Sequence, residues 1–162
     1  HYAPDEIEVI LAHELGHHKN WDIWKGLLFQ SVLSVIAFYL AHVILRAYSS
    51  SFGLRGSSDV AGFPLLMLTM AAVSLFFLPT TNFFTRHLER HADFFALTLT
   101  HNPKAFVSMM SKLGRQNLAD FDPNPILEFV LYSHPSINKR IRHAQELFPD
   151  ELSESEKVEK DV

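Results

Sequence analysis

The residues best suited to chemistry lie near the start of the chain, in His13-Glu14-Leu15-Gly16-His17. On an α-helix, residues four apart lie one turn apart on the same face. His13 and His17 can therefore bind one metal ion together, with Glu14 beside them as a base. The alternative is a histidine-rich surface helix, and the residues downstream weigh against it.

The residues around this motif predict a helix from Pro4 to about Asn20. Proline suits the first helical position, and the acidic Asp5 and Glu6 suit the positive N-terminal end. Asp22 could cap the next helix. Apolar residues recur at helical spacing along the motif helix, at Ile7, Ile10, Leu11 and Leu15.

A zinc ion held by two histidines needs another protein ligand, because catalytic zinc sites usually have three and a water. One zincin pattern supplies a Gly and a third His soon after the second His, and neither follows His17 at the required place. Glu89 is a candidate ligand from another helix. Asp93, four residues on, shares its face and could hydrogen-bond to a ligand histidine. An ordinary charged helix face is the alternative, and His87 and His91 compete weakly as ligands.

Two further candidates lie near the C-terminal end. His134 occurs in Ser133-His134-Pro135-Ser136, a predicted break between helices. Close to a metal, it could donate to the oxyanion of a tetrahedral intermediate. Arg140 could do the same or bind a substrate carboxylate through two hydrogen bonds. The alternative is a surface turn followed by a basic helix.

Two stretches without a formal charge, residues 26–45 and 60–83, predict membrane-spanning helices. Each reaches the roughly 20 residues that cross a hydrocarbon core of about 30 Å. A pair of buried helices in a soluble core is the alternative. The Ser- and Gly-rich residues 49–58 predict a loop that makes the pair a hairpin. Lysines and arginines favour its outer ends, which places the site on the cytoplasmic side of a bacterial inner membrane or endoplasmic reticulum.

The remaining sequence predicts more helices, so the predicted fold class is all-α. Pro79 should kink or break the second long helix, which resumes to about Leu99. Asn102 should cap a helix that ends near Asn117. A short helix over residues 126–132 and a final one over 137–148 follow. Residues 1–149 then form one helical catalytic region, and the charged residues 150–162 predict a disordered tail.

Composition excludes several classes of function. The formal net charge of -4 gives a nucleic-acid partner no electrostatic support. Without cysteine, the chain has no disulfide, thiolate zinc site or cysteine nucleophile. The sequence starts without Met or a targeting signature, a dozen residues before the motif, so we expect it to be the C-terminal part of a larger protein.

In order, these motifs resemble the C-terminal part of the type I CAAX prenyl endopeptidases, which are integral-membrane zinc metalloproteases. The resemblance covers nearly all of residues 7–147. Its specific parts are residues 12–17, residues 89–93, Gln116-Asn117-Leu118 and Tyr132-Ser133-His134-Pro135.

The resemblance implies a role for each candidate residue. One zinc ion would be held by His13, His17 and Glu89. Glu14 would take a proton from the attacking water and deliver it to the leaving amine. Asp93 would be the supporting carboxylate, and the substrate-side residues would be His134 and Arg140.

The implied substrate is a protein or peptide that ends in a prenylated cysteine and three further residues, and cleavage removes those three. The implied fold is a ring of membrane helices around a chamber, in contact with membrane lipid. The N-terminal helices of that ring are missing from this sequence. Two alternatives remain: a membrane quality-control metalloprotease with broad substrates, and a non-enzymatic membrane scaffold.

Overall fold

The computed structural model describes residues 1–56 and 59–152, and within them the chain is all-α with no strand. Two short 3₁₀ turns, Ser50–Phe52 and Val60–Gly62, lie between the long helices. The helices are α1 (Pro4–Lys19), α2 (Asp22–Tyr48), α3 (Phe63–Thr100), α4 (Pro103–Gln116), α5 (Pro125–Leu131) and α6 (Ile137–Leu147). The predicted fold class is confirmed, and most helix ends lie within one or two residues of their predicted positions.

The predicted break at Pro79 is not formed. Pro79 lies inside α3, which is one helix of 38 residues. A proline removes one helical hydrogen bond, and the long helical stretches on either side keep theirs. Of the predicted charged tail, residues 150–152 are helical and residues 153–162 lie outside the described part of the chain.

The chain forms two compact units, and Trp24–Thr81 is the smaller. It contains most of α2 and the first half of α3, whose apolar windows have mean hydropathies of 2.0 and 2.1. Both helices are long enough to cross a membrane, and only 17% of each window is buried within the protein. The helices of a soluble core would be mostly buried, so the low burial favours membrane association over that alternative.

The other unit consists of His1–Ile23 and the chain from Asn82 onward, and it has its own apolar core. Four helices contribute to this core, α1, α3, α4 and α6. Its most buried members are Val9, Ala96, Leu97, Phe106 and Ala144, each 0% exposed. Asn102 caps α4 as predicted, because its Oδ1 accepts a hydrogen bond from Ala105 N at 3.0 Å.

A buried carboxylate joins α1 to α4. Glu6 is 3% exposed. Its carboxylate accepts hydrogen bonds from Lys112 Nζ, Ser108 Oγ and Ala3 N, each at 2.7 Å. These donors, Lys112 foremost, lower the pKa of Glu6 to about 2. The helix that carries the histidine motif is thereby fixed to the core.

We expect the contribution of Glu6 to stability to depend on pH. Its folded pKa is lower than its unfolded one, so the contribution is complete above about pH 4.5 and disappears as the pH falls towards about 2. Glu6→Gln should therefore lower the Tm clearly at pH 7 and little at pH 2. Thermal unfolding across this range tests the expectation, with the exposed Glu8→Gln on the same helix as the control. Equal losses of Tm at both pH values would contradict it.

Candidate metal centre

The site depends on a close approach between α1 and α3. A Cβ atom on Gly16 would lie 3.1 Å from Ala92 Cα and 3.1 Å from Phe95 Cδ1. Only a glycine lets the two backbones come this near without a shift. Gly16 directly precedes His17, and Ala92 directly precedes Asp93. The contact therefore brings the histidine face of α1 against the carboxylate face of α3.

Three side chains converge at this contact. His13 Nε2 lies 3.2 Å from His17 Nε2. The carboxylate oxygens of Glu89 lie 3.5 Å from each of these nitrogens, Oε2 from His13 and Oε1 from His17. The structure thus brings together the two histidines and Glu89, the ligand predicted from sequence, which follows His17 by 72 residues.

The other ring nitrogen of each histidine faces a carboxylate. His17 Nδ1 donates to Asp22 Oδ2 at 2.9 Å. His13 Nδ1 lies 3.0 Å from Asp93 Oδ1, although the pair is not aligned as a good hydrogen bond. Carboxylates in these positions favour a proton on Nδ1 and leave the Nε2 lone pairs free. Two lone pairs and an anionic carboxylate then converge on one point.

This donor set fits a zinc ion. Ligands at about 2.0–2.1 Å from a tetrahedral ion are about 3.3–3.4 Å from one another. The two Nε2 atoms, 3.2 Å apart, are close to that spacing, and each lies 3.5 Å from a different Glu89 oxygen. With one ligand atom from each residue, the three atoms lie within 4.8 Å of one another. Two imidazoles and one carboxylate also form the ligand set of a known class of catalytic zinc site, which keeps its fourth position open.

Proton and metal compete for His13. Burial lowers its pKa, but the adjacent carboxylates of Asp93 and Glu89 outweigh burial and raise the pKa to about 9. Without metal, both ring nitrogens of His13 therefore carry a proton at neutral pH, and metal binding has to displace the proton on Nε2.

A cavity of about 480 Å³ opens onto the three converging residues. Glu14 lines it and is exposed, so the carboxylate is accessible to a substrate or a water. One wall of the cavity is apolar and consists of Ile10 of α1 with Met109, Met110 and Leu113 of α4. The cavity thus combines a free base, a metal-binding donor set and an apolar surface.

His134 and Arg140 also line this cavity, but they differ in exposure and in hydrogen bonding. The His134 side chain is 58% exposed, and its Nε2 lies 3.4 Å from Glu89 Oε1. Arg140 is 7% exposed and donates twice to Asp93, from Nε at 2.7 Å and from Nη2 at 2.5 Å. Because Asp93 uses these donors, the contacts favour a supporting role for Arg140 over direct binding of substrate. His134 has the accessible donor.

Asp22 is the residue that sequence analysis assigned differently. It was expected only to cap a helix, and it supports His17. The signal was its position five residues after His17, where α1 ends and Trp21 adopts a positive φ of 59°. That turn reverses the chain and brings the first residue of α2 back to the motif. His87 and His91 are exposed on α3 and pair with each other, with ring centroids 4.5 Å apart.

We expect metal affinity to be sensitive to Gly16. Gly16→Ala should gain about 1 kcal/mol in helix propensity, yet the added Cβ forces the α1 and α3 backbones apart. We therefore expect zinc affinity to fall by about tenfold, as for other residues that support metal ligands. Zinc titration of the metal-free protein measures it. Gly26→Ala is the matched control, since nothing lies within 4 Å of that Cβ position. Equal affinities in both variants would contradict this account.

Known proteins share this arrangement of sequence and fold. The model of Peptidase family M48 matches residues 1–148. The chain belongs to this family. Membership implies a metal-dependent peptidase, generally with zinc, and the donor set above is where such a metal fits.

Relatives of this M48 chain include three bacterial proteins. An "Uncharacterized metalloprotease YhfN" of Bacillus subtilis is 33% identical, over 86% of this chain and 34% of its own length. "Protease HtpX" of Aliivibrio fischeri is 28% identical over 85% of this chain and 52% of its own, and that of Vibrio vulnificus is 31% identical over 85% and 51%. The M48 chain therefore spans about a third to a half of these relatives.

A solved structure shares the fold. The crystal structure of S. mikatae Ste24p superposes with a TM-score of 0.71 at 23% identity, over 86% of this chain and 35% of that one. This likeness concerns the fold alone. It agrees with the all-α architecture expected from the resemblance to the CAAX prenyl endopeptidases.

Proposed function

We propose that this chain is the catalytic part of a membrane zinc metalloendopeptidase. The observation that carries the proposal is the convergence of His13, His17 and Glu89, whose ligand atoms lie within 4.8 Å of one another and form a donor set that suits catalytic zinc. The exposed Glu14 in the same cavity supports a catalytic site, because a purely structural site needs no base and closes its fourth position. This argues against the non-enzymatic scaffold.

When bound, zinc would lower the pKa of a water toward about 7 and polarise the scissile carbonyl. Glu14 takes the proton of the attacking water and delivers it to the leaving amine. His134 donates a hydrogen bond to the developing oxyanion. Asp22 and Asp93 hold the two imidazoles so that Nε2 faces the ion, and Arg140 holds Asp93.

Two substrate classes are consistent with this chemistry. The resemblance to the CAAX endopeptidases favours prenylated protein C-termini, from which the last three residues are removed. The alternative is a membrane quality-control metalloprotease with broad substrates. The bacterial relatives at 28–33% identity are named as proteases without reference to prenylated substrates, which is consistent with it. In both cases we place the site near membrane lipid on the cytoplasmic side, from the charge distribution of the sequence.

A matched pair of peptides separates these classes. Both end in a cysteine and three further residues, and only one is prenylated. Release of the C-terminal tripeptide from the prenylated peptide alone would support the CAAX activity. Cleavage of both, at internal bonds, would support the broad protease. If the zinc-loaded protein cleaves neither peptide in a chelator-sensitive way, the non-enzymatic scaffold is the remaining interpretation.

A further inference from the structure

A buried arginine of α3 binds the end of another helix. Arg86 is 7% exposed. Its Nη1 donates to Glu128 O at 3.0 Å and to Tyr132 O, and its Nη2 donates to Phe129 O at 3.2 Å. All three acceptors are carbonyls at the C-terminal end of α5. The last carbonyls of a helix lack partners among the helical N–H groups, and the arginine supplies donors at this end. Glu128 O in addition accepts from Tyr132 N at 3.2 Å.

A second residue of α3 adds to this cap. Asn82, one turn before Arg86, donates from Nδ2 to Val130 O at 2.6 Å. A helix of seven residues is too short to be stable alone. The end of α5 is therefore held by side chains of α3.

The chain that follows α5 is held from its other end as well. Glu128 is 4% exposed. Its Oε1 accepts from Ser136 N at 3.0 Å and its Oε2 from Lys139 Nζ at 2.7 Å. The turn over residues 132–136 is thus tied down at Tyr132 by Arg86 and at Ser136 by Glu128. His134 lies in the middle of this turn.

The same stretch of α3 also carries the candidate metal ligand. Glu89 follows Arg86 by three residues, so both lie on one face of the helix. His134 Nε2 is 3.4 Å from Glu89 Oε1. The turn that Arg86 binds therefore carries the His134 ring to Glu89, and Ser133 Oγ contacts the other ring nitrogen, Nδ1, at 2.9 Å.

We propose that Arg86 is a positioning residue, which clamps the turn that carries His134 at the metal centre. This inference rests on the proposed function, in which His134 stabilises the oxyanion. An arginine suits the task because its planar guanidinium can donate to several carbonyls at once, whereas a lysine is a single compact charge. Burying a cation is costly unless hydrogen bonds compensate for the lost water. The three carbonyl acceptors compensate for it here. An apolar side chain could fill the same space without that cost, so the arginine is of use for its hydrogen bonds to the turn.

The test compares Arg86→Lys with wild type in the full chain. We expect kcat to fall at least tenfold, with zinc content and Tm close to wild type and KM little changed. Hydrogen exchange of residues 128–136 should be faster. Arg90→Lys is the matched control, since Arg90 is exposed on the same helix, and it should leave all five quantities unchanged.

A double-mutant cycle with His134→Ala identifies the route of action. If Arg86 acts through His134, then Arg86→Lys should cost little further activity once His134 is alanine. Additive losses would overturn the inference, as would loss of zinc or unchanged exchange in Arg86→Lys. If His134→Ala alone has the wild-type rate, the proposed role of His134 fails, and the catalytic purpose of the clamp fails with it. Exchange would still report whether Arg86 holds the turn.

Discussion

Glu14→Gln should bind zinc as tightly as wild type and cleave peptide about 10² to 10⁴ times more slowly. That range is typical for the loss of a general acid–base group. The side chain is exposed in the cavity and makes none of the contacts that hold His13 and His17. Glutamine has nearly the same shape and cannot accept the proton. The metal site should therefore stay intact while the proton transfer is lost.

Two measurements on one preparation test this expectation. Metal analysis gives zinc per chain, and peptide cleavage gives kcat/KM. Glu8→Gln, exposed on the same helix, should retain both. Full activity in Glu14→Gln would remove Glu14 from the mechanism, whereas loss of zinc would mean that it supports the metal.

Glu89→Ala should lose both zinc and activity. Removal of a ligand leaves two histidines, fewer than the three protein ligands usual in catalytic zinc sites. We expect zinc affinity to fall by more than about a hundredfold, beyond the 10- to 100-fold typical of residues that only support ligands. His13→Ala should have the same effect. Asp93→Asn should lose affinity within the smaller range, since Asp93 contacts the far nitrogen of His13.

His91→Ala is the control for Glu89→Ala, because His91 lies on the same helix and competed as a ligand in the sequence. Its ring pairs with His87 instead, so zinc binding should be unchanged. Equilibrium dialysis against zinc measures all four variants. Retention of stoichiometric zinc by Glu89→Ala, or its loss from His91→Ala, would contradict the assignment of the third ligand.

The parts of this molecule that follow from local spacing could be predicted from sequence. Helical period places His13 with His17 and Glu89 with Asp93. Asn102 before a first-turn proline is the usual sequence pattern of a helix start, and its Oδ1 caps α4. For Pro79 the local rule left a kink or a break open, and the structure excludes the break because α3 continues on both sides of it.

Contacts between distant segments could not be predicted in the same way. Arg140 donates to Asp93 across 47 residues, and Arg86 donates to Tyr132 across 46. Such pairs depend on how closely the helices pack, which no spacing within one helix encodes. Gly16 allows the close approach of the α1 and α3 backbones, but this role is visible only in the structure, where Ala92 lies against it.

The continuity of α3 bears on how this protein could be handled in the laboratory. One helix from Phe63 to Thr100 carries both the apolar residues of membrane length and the carboxylates of Glu89 and Asp93. α2 likewise begins at Asp22, the partner of His17. Deleting the apolar unit Trp24–Thr81 to obtain a water-soluble enzyme would cut both α2 and α3 close to the metal ligands. Detergent or nanodisc preparations of the uncut chain are therefore the better starting point for crystallisation and inhibitor screening.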